Sequence, residues 1–305
     1  MSDQLKGALY GLLIGDALGV PYEFKPPAEI PPSPEIEYTP PPHFPRSHPS
    51  VQPGTWSDDG SQALCLLESL LARGELNLID FSQRLQNWYF EGHLAVDKNV
   101  FDVGIQTREA IIKLSKNFFP GESGRADEHA NGNGSLMRCL PLALWHRGTD
   151  AVLVEDAHQQ SIITHAHPRA QACCALYCLW ARRILQSDTD PWQSATATLR
   201  LLYQNRPDFT YELEDHIRPE SPPICEGTGY VVDCLHSARI ACRQDSFEAV
   251  VKRAIAFGND TDTTACVAGG IAGLRFGFSQ IPARFIQNLR GQSLFAPLLT
   301  QLLTP

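Results

Sequence analysis

Long apolar runs are missing from this 305-residue chain: nothing approaches the ~20 consecutive apolar residues that a bilayer-spanning helix needs, so no membrane partner is expected. Positive charge is also short. Lysine and arginine number 25 against 34 acidic residues, a formal net charge of -9, which leaves no basic footprint for nucleic acid or an anionic membrane surface. A small ligand or a protein is the expected partner. The apolar stretch Leu9 to Leu18 follows "MSDQLK", which carries no net positive charge, and Asp16 interrupts it, so it does not read as a secretory leader. No C-x-x-C pair occurs among the nine cysteines, which lie mostly in apolar helical contexts such as "QACCALYCLW" and read as reduced core thiols of a cytoplasmic protein. H-E-x-x-H is absent, and the H-x-H of His165 and His167 has no third ligand at zinc spacing. Alternating strand patterns and solenoid-length repeats are missing too.

What the chain does have is helical periodicity. It covers Asp59 to Ala72, Leu78 to Tyr89, Val103 to Leu114, Ser135 to His146, Val152 to Thr164, Pro168 to Leu185, Pro191 to Tyr203, Gly227 to Arg243 and Thr263 to Phe276. The expected fold is an all-α, compact, single-domain multi-helix bundle over residues 1–305. The proline-dense segment 26–53 cannot continue a helix and reads as a loop or flap, and 206–226, with "RPESPPICEG", reads as a second surface stretch. Gly7, Gly11, Gly15 and Gly19 recur every fourth residue on one face of the first helix. Each costs about 1 kcal/mol relative to alanine, so close approach of another helix is expected in return, and the smooth Gly269–Gly270–Gly273 side of the helix after Thr263 is the natural partner.

Polar residues concentrate at a few helix starts. In "GTWSDDGSQALCLL", Ser57 can cap a helix with Asp58 and Asp59 in its first turn, and Asp59 with Gln62 resembles a capping box. Asp260, Asp262 and Thr263 repeat the arrangement ahead of another apolar helix. Capping explains either cluster alone. Two such clusters at one site would repel unless cations sat between them, and hard oxygen ligands suit magnesium or manganese. Glu23, just after the glycine-striped helix and beside the proline-rich segment, could hold or deprotonate a water there. Asn131, Gly132, Asn133, Gly134 and Ser135 precede an apolar helix, where backbone N–H groups can receive a phosphate. His165, at a helix junction, could hydrogen-bond or stack on a ligand.

In order, "GALYGLLIGDALGVPYEF", "TWSDDGSQAL", "NGNGSLMRCLPLAL", "ITHAHPRA" and "GNDTDTTACVAGGIAGLRFG" resemble the successive motifs of the ADP-ribosylglycohydrolase family, from residue 7 to about 277. The resemblance implies a compact all-α fold with a binuclear centre of two Mg2+ (or Mn2+) that removes ADP-ribose from an ADP-ribosylated protein side chain or a small ADP-ribose conjugate. Carried onto matching positions, Ser57, Asp58, Asp59, Asp260, Asp262 and Thr263 would bind the metals, and Glu23 would be the mobile catalytic acid near the bridging water. Asn131, Gly132, Asn133, Gly134 and Ser135 would cradle the diphosphate and ribose, with His165 lining the cleft. A cytoplasmic monomer is expected. Two positions depart from the family pattern, which has threonine before and after the paired aspartates: Ser57 keeps the oxygen, whereas Gly60 loses a hydroxyl that could tune the metals. One rival is a magnesium-dependent prenyl-diphosphate enzyme, but "DDGSQ" lacks the last acid of D-D-x-x-D. The other is a family member that binds ADP-ribose, or serves a structural role, without hydrolysis.

Overall fold

The computed structural model describes residues 1–223 and 225–304; Ile224, which falls within the second irregular stretch, and Pro305 lie outside the described residues. The helices are α1 (Ser2–Gly19), α2 (Asp58–Arg73), α3 (Leu78–Glu91), α4 (Ile105–Leu114), α5 (Leu140–Trp145), α6 (Asp150–Ile162), α7 (Pro168–Leu185), α8 (Pro191–Tyr203), α9 (Pro207–Tyr211), α10 (Val231–Ala241), α11 (Phe247–Ile255), α12 (Thr261–Phe276), α13 (Ala283–Asn288) and α14 (Gln292–Leu303). Among the described residues there is no sheet, only two isolated bridges, Arg125 with His165 and Gly132 with Tyr230. The fold class is all-α. No described helix is long and apolar enough to cross a membrane.

Several starts follow their local chemistry. Thr149 Oγ1 accepts the N–H of Val152 at 3.4 Å to open α6, and Asp190 accepts that of Gln193 at 3.3 Å with Pro191 in the first turn of α8. Two expected helices are shorter than their apolar patterns. Only Leu140–Trp145 of the Ser135 to His146 run is helical, because the chain ahead of it is held in turns such as Leu136 N–H to Asn133 O. The Gly227 to Arg243 run turns helical at Val231, because residues 229–231 pair with 131–133 instead: Asn133 donates to Gly229 O at 3.0 Å and Val231 to Asn131 O at 2.9 Å. The second irregular stretch holds α9 and a wide turn, Glu212–Ile217, that buries Leu213 and Ile217.

The two glycine-rich helices form the most extensive helix pair in the molecule. A Cβ on Gly7 would lie 2.4 Å from Gly273 O, on Gly11 2.2 Å from Gly269 O and on Gly15 2.0 Å from Ala265 O, so backbone rests on backbone along the whole seam. Gly270 faces elsewhere, towards Leu140 and the Tyr177 hydroxyl. The opposing atoms are carbonyls of a helix that cannot yield locally. Gly15→Ala is therefore expected to cost about 3 kcal/mol, read as a lower urea midpoint at unchanged m-value. This close seam sets where α12 begins, and hence where Asp260 and Asp262 lie relative to the end of α1.

Candidate active site

The N-termini of α2 and α12 meet beside the C-terminus of α1, and their positive dipole ends favour carboxylates there. Ser57 Oγ accepts the N–H of Asp59 at 3.3 Å and so caps α2. Asp16, fully buried on α1, takes the N–H groups of Ser57 at 2.8 Å and Gly60 at 2.7 Å. Burial pushes Asp16 up to about 7 despite these bonds. The capping box is not formed, since Gln62 donates instead to Asp58 Oδ2 at 2.8 Å. At the start of α12 the Asp260 side chain caps nothing. Helix capping therefore accounts for Ser57 and not for the aspartates.

Each aspartate of α12 has one oxygen tied and one free. Asp260 Oδ2 accepts from Asn133 Nδ2 at 2.9 Å, and Asp262 Oδ1 accepts the N–H of Thr263 at 2.9 Å. Asp260 Oδ1 and Asp262 Oδ2 are buried without a partner, as is Asp59 Oδ2, while Thr263 Oγ1 lies 3.5 Å from Asp59 Oδ1. Carboxylate oxygens of Glu23, Asp260 and Asp262 can lie within 4.8 Å of one another. Burial first, then mutual repulsion, holds Asp58, Asp59 and Asp262 well above the usual carboxylate range, and burial with the charges of Asp102, Asp260, Asp59 and Asp58 pushes Glu23 up to about 12. No described lysine or arginine pairs with any of these groups. Buried carboxylate oxygens left unpartnered are costly, and an all-oxygen acidic donor set is what hard divalent cations require. The residues present fit magnesium or manganese.

The cluster forms one wall of a cleft of about 430 Å³. Glu23, Asp58, Asp59, Asp260 and Thr263 line it together with Gly132, Asn133, Gly134 and His165. Asp262 joins from behind, within reach of Glu23 and Asp260. Besides Asp262, three expected site residues do not line this cleft. Ser57 Oγ accepts the Asp59 N–H in the α2 cap, Ser135 is buried against Ser161 (2.8 Å) and Cys174 (3.4 Å), and Asn131 donates to Glu128 O at 2.9 Å beside an adjoining groove. The loop approaches closely because it has glycines: a Cβ on Gly134 would lie 2.8 Å from the His165 ring and one on Gly132 2.9 Å from Gln106 Oε1. Part of its expected anion cradle is already used, since Gly132 N–H donates to Gln106 Oε1 at 3.1 Å and Asn133 N–H to Gly229 O at 3.0 Å. Burial, with the nearby Arg138 charge, lowers His165 to about 3, so its ring is neutral.

Three contributors escaped the sequence motifs. Asp102 lines the cleft between Glu23 and Asp262 and is pushed up to about 7 by burial and by Asp260. His48, from the proline-rich segment, places Nε2 2.7 Å from Glu23 Oε2. Burial lowers His48 while Glu23 is raised, so this contact is a hydrogen bond between neutral groups in the metal-free cluster. Gln106 brings a buried amide nitrogen with no partner. Asp102 and His48 adopt left-handed backbone conformations (φ 58° and 48°), as do Phe24 and Asn259 next to Glu23 and Asp260 (φ 60° and 58°), a concentration of strain around the acidic groups. The only signal was placement in loops, which does not say where a loop will fold.

The family's missing hydroxyl does not open onto this cleft. A Cβ on Gly60 would lie 2.8 Å from Leu13 and 2.9 Å from Trp56, towards the core. The H-x-H pair splits likewise: His167 Nδ1 caps α7 by accepting the N–H of Arg169 at 3.2 Å, and its neighbours Glu128 and Glu212 are each bonded by Arg169 at 2.7 Å.

Comparison with known proteins agrees with this geometry. The family model described as ADP-ribosylglycohydrolase matches residues 1–304. The chain is 30% identical to an ADP-ribosylarginine hydrolase of Serratia proteamaculans over 98% of its own length and 79% of the relative's. It is 29% identical to the ADP-ribosyl-[dinitrogen reductase] glycohydrolase of Rhodospirillum rubrum, covering 94% and 90%. A solved structure described as an ADP-ribosylglycohydrolase-related protein complex superposes with a TM-score of 0.77 at 30% identity, covering 99% of this chain and 97% of that one. With the acidic cluster, the glycine loop and the histidine all on one cleft, the chain belongs to the ADP-ribosylglycohydrolase family.

Proposed function

We propose that this glycohydrolase removes ADP-ribose from modified arginine side chains of proteins, with two divalent cations held by its acidic cluster. The observation that carries the reading is the set of half-tied, buried carboxylates of Asp59, Asp260 and Asp262 on the same cleft as the Asn133 loop and His165. The arginine linkage is supported by the name of the relative in Serratia, an ADP-ribosylarginine hydrolase, and a protein substrate by that of the relative in Rhodospirillum.

Asp58, Asp59, Asp260, Asp262 and Thr263 would hold the cations, which when bound supply a water of lowered pKa and a template for the ribose diol. The chain's own residues do the rest. Glu23, 3% exposed at the edge of the cluster, is placed to take a proton from the attacking water. The water oxygen bonds to the anomeric carbon as the bond to the guanidinium nitrogen breaks with oxocarbenium character; the electron pair leaves with the nitrogen as neutral guanidine, which then takes up the proton that Glu23 removed from the water. Gly132, Gly134 and His165 border the side where the diphosphate would lie, and His48 orients Glu23 through one oxygen.

The test is release of free ADP-ribose from arginine-linked and serine-linked ADP-ribosylated proteins, with magnesium, with manganese and with chelator. Cation-dependent release from the arginine-linked substrate is the expected result. Release from the serine-linked substrate alone would overturn the linkage, and binding of ADP-ribose with no release from either would replace the hydrolase by a binding protein.

A further inference from the structure

Arg138 is 0% exposed, and no described carboxylate lies within ion-pairing distance of its guanidinium. A buried cation without an anionic partner is costly, so what its neutral partners gain in exchange matters. Nε donates to Gln160 Oε1 at 3.1 Å, Nη1 to Gln62 Oε1 at 2.8 Å, and Nη2 to Gln160 O and to Thr164 Oγ1, both at 2.9 Å.

A guanidinium only donates, and this fixes the polarity of everything bonded to it. Gln62 must turn its carbonyl oxygen to Arg138, so its amide nitrogen faces outward and meets Asp58 Oδ2 at 2.8 Å. Gln160 is oriented in the same sense and donates to the Ser135 carbonyl at 3.2 Å, at the end of the glycine loop. Thr164 Oγ1 must accept from Arg138, and because Thr164 is buried with His165 Nδ1 at 2.8 Å as its one other hydrogen-bond neighbour among the described residues, its hydrogen is directed there. A neutral imidazole whose Nδ1 accepts carries its proton on Nε2. That nitrogen faces the cleft, 3.3 Å from where a Cβ on Gly134 would stand and 3.4 Å from one on Gly132.

We propose that Arg138 is a positioning residue that acts on both walls of the cleft: through Thr164 it fixes His165 as an Nε2–H donor towards an anionic ligand, and through Gln62 it holds one oxygen of Asp58 so that the other faces the cations. Nothing in the motif that contains it, "NGNGSLMRCLPLAL", marks the arginine, because its partners come from α2, α6 and the turn after α6. The proposal rests on the reading of this cleft as an ADP-ribose site with bound cations, but the histidine tautomer can be observed without either.

The experiment uses the full chain labelled with 15N-histidine, with the His165 ring nitrogens followed by long-range proton–nitrogen correlation in metal-free, ligand-free protein. Wild type is expected to show His165 as the Nε2–H tautomer. Thr164→Val is expected to give mixed tautomers and about tenfold weaker ADP-ribose binding in calorimetry, with magnesium affinity unchanged. Gln62→Leu is expected to do the reverse, leaving the tautomer intact and weakening magnesium about tenfold. Arg138→Met is expected to combine both losses. If removal of the buried cation prevents folding, the two single-arm variants still decide the matter. A wild-type His165 protonated on Nδ1, or a Thr164→Val protein with unchanged tautomer and unchanged ADP-ribose affinity, would overturn the proposal. Failure of wild type to bind ADP-ribose at all would sink the functional reading and leave the tautomer result standing.

Discussion

Asp260→Ala is expected to lose cation-dependent ADP-ribose release by on the order of a thousandfold while its far-ultraviolet circular dichroism stays that of wild type. The argument starts from what Asp260 does and does not do for the fold. Its side chain caps no helix, and its one described bond is from Asn133 Nδ2 at 2.9 Å. Its other oxygen is buried and unpartnered, and its charge helps to raise Glu23, Asp58, Asp59, Asp102 and Asp262. Removing it takes a repelling charge out of the metal-free protein, so the chelator-treated variant should melt at or above the wild-type temperature. It also takes away a cation ligand and the anchor of the Asn133 side chain, so turnover collapses. A variant that keeps wild-type activity, or that loses activity only because it is unfolded, would refute this assignment.

The second large effect is on stability against pH. Asp16 and Asp102 are pushed up to about 7, Glu23 to about 12, and Asp58, Asp59 and Asp262 lie well above their ordinary range, with burial the leading cause in every case. In the unfolded chain these groups titrate near about 4. Above that pH the folded state binds more protons than the unfolded one, so metal-free stability falls as pH rises, starting near about 4 and continuing through about 7. Two sets of groups have the opposite sign: Asp80 and Asp150 lie below their ordinary range and Glu155 is held at about 2, so their contribution is complete by about pH 5, whereas His146 and His236 at about 4, His165 at about 3, and His48 and His158, all lowered chiefly by burial, add stability until pH passes the unfolded imidazole value near about 6.5. Between about pH 6.5 and 8, where the histidines no longer change, the chelator-treated protein should lose on the order of several kcal/mol, or roughly 10 °C in melting temperature. Excess magnesium or manganese should remove the decline and raise the melting temperature most at the alkaline end, because cations bind the ionised cluster and release its protons. A metal-free melting temperature that rises over this interval would show that the cluster is not the dominant titrating element.

How much was legible in the sequence differs from residue to residue for physical reasons. The glycines of α1 and the smooth face of α12 disclosed their own contact, since a stripe of destabilising residues on a helix is accounted for only by something close against it. The paired aspartates were legible as candidate cation ligands because two acidic clusters at helix starts exceed what capping can use. Family membership was legible from five motifs in order, and the match over residues 1–304 agrees. Helix extents were less so: Ser135–Cys139 and Gly227–Tyr230 look apolar or permissive enough to be helical, but the first is held in turns such as Leu136 N–H to Asn133 O and the second is drawn into the pairing of residues 229–231 with 131–133.

By itself, then, the sequence determined the all-α class and the acidic clusters at helix starts, because each depends on composition and on spacing within one segment, and its five ordered motifs carried the resemblance to the family. Tertiary structure alone decided which oxygens are left free, that Gly60 faces Leu13 and Trp56 and not the cleft, and that Asp102, His48 and Gln106 join it. Those outcomes depend on residues far apart in the chain meeting in three dimensions. Hydrogen-bond directionality and burial then assign each polar atom a partner that no local pattern encodes.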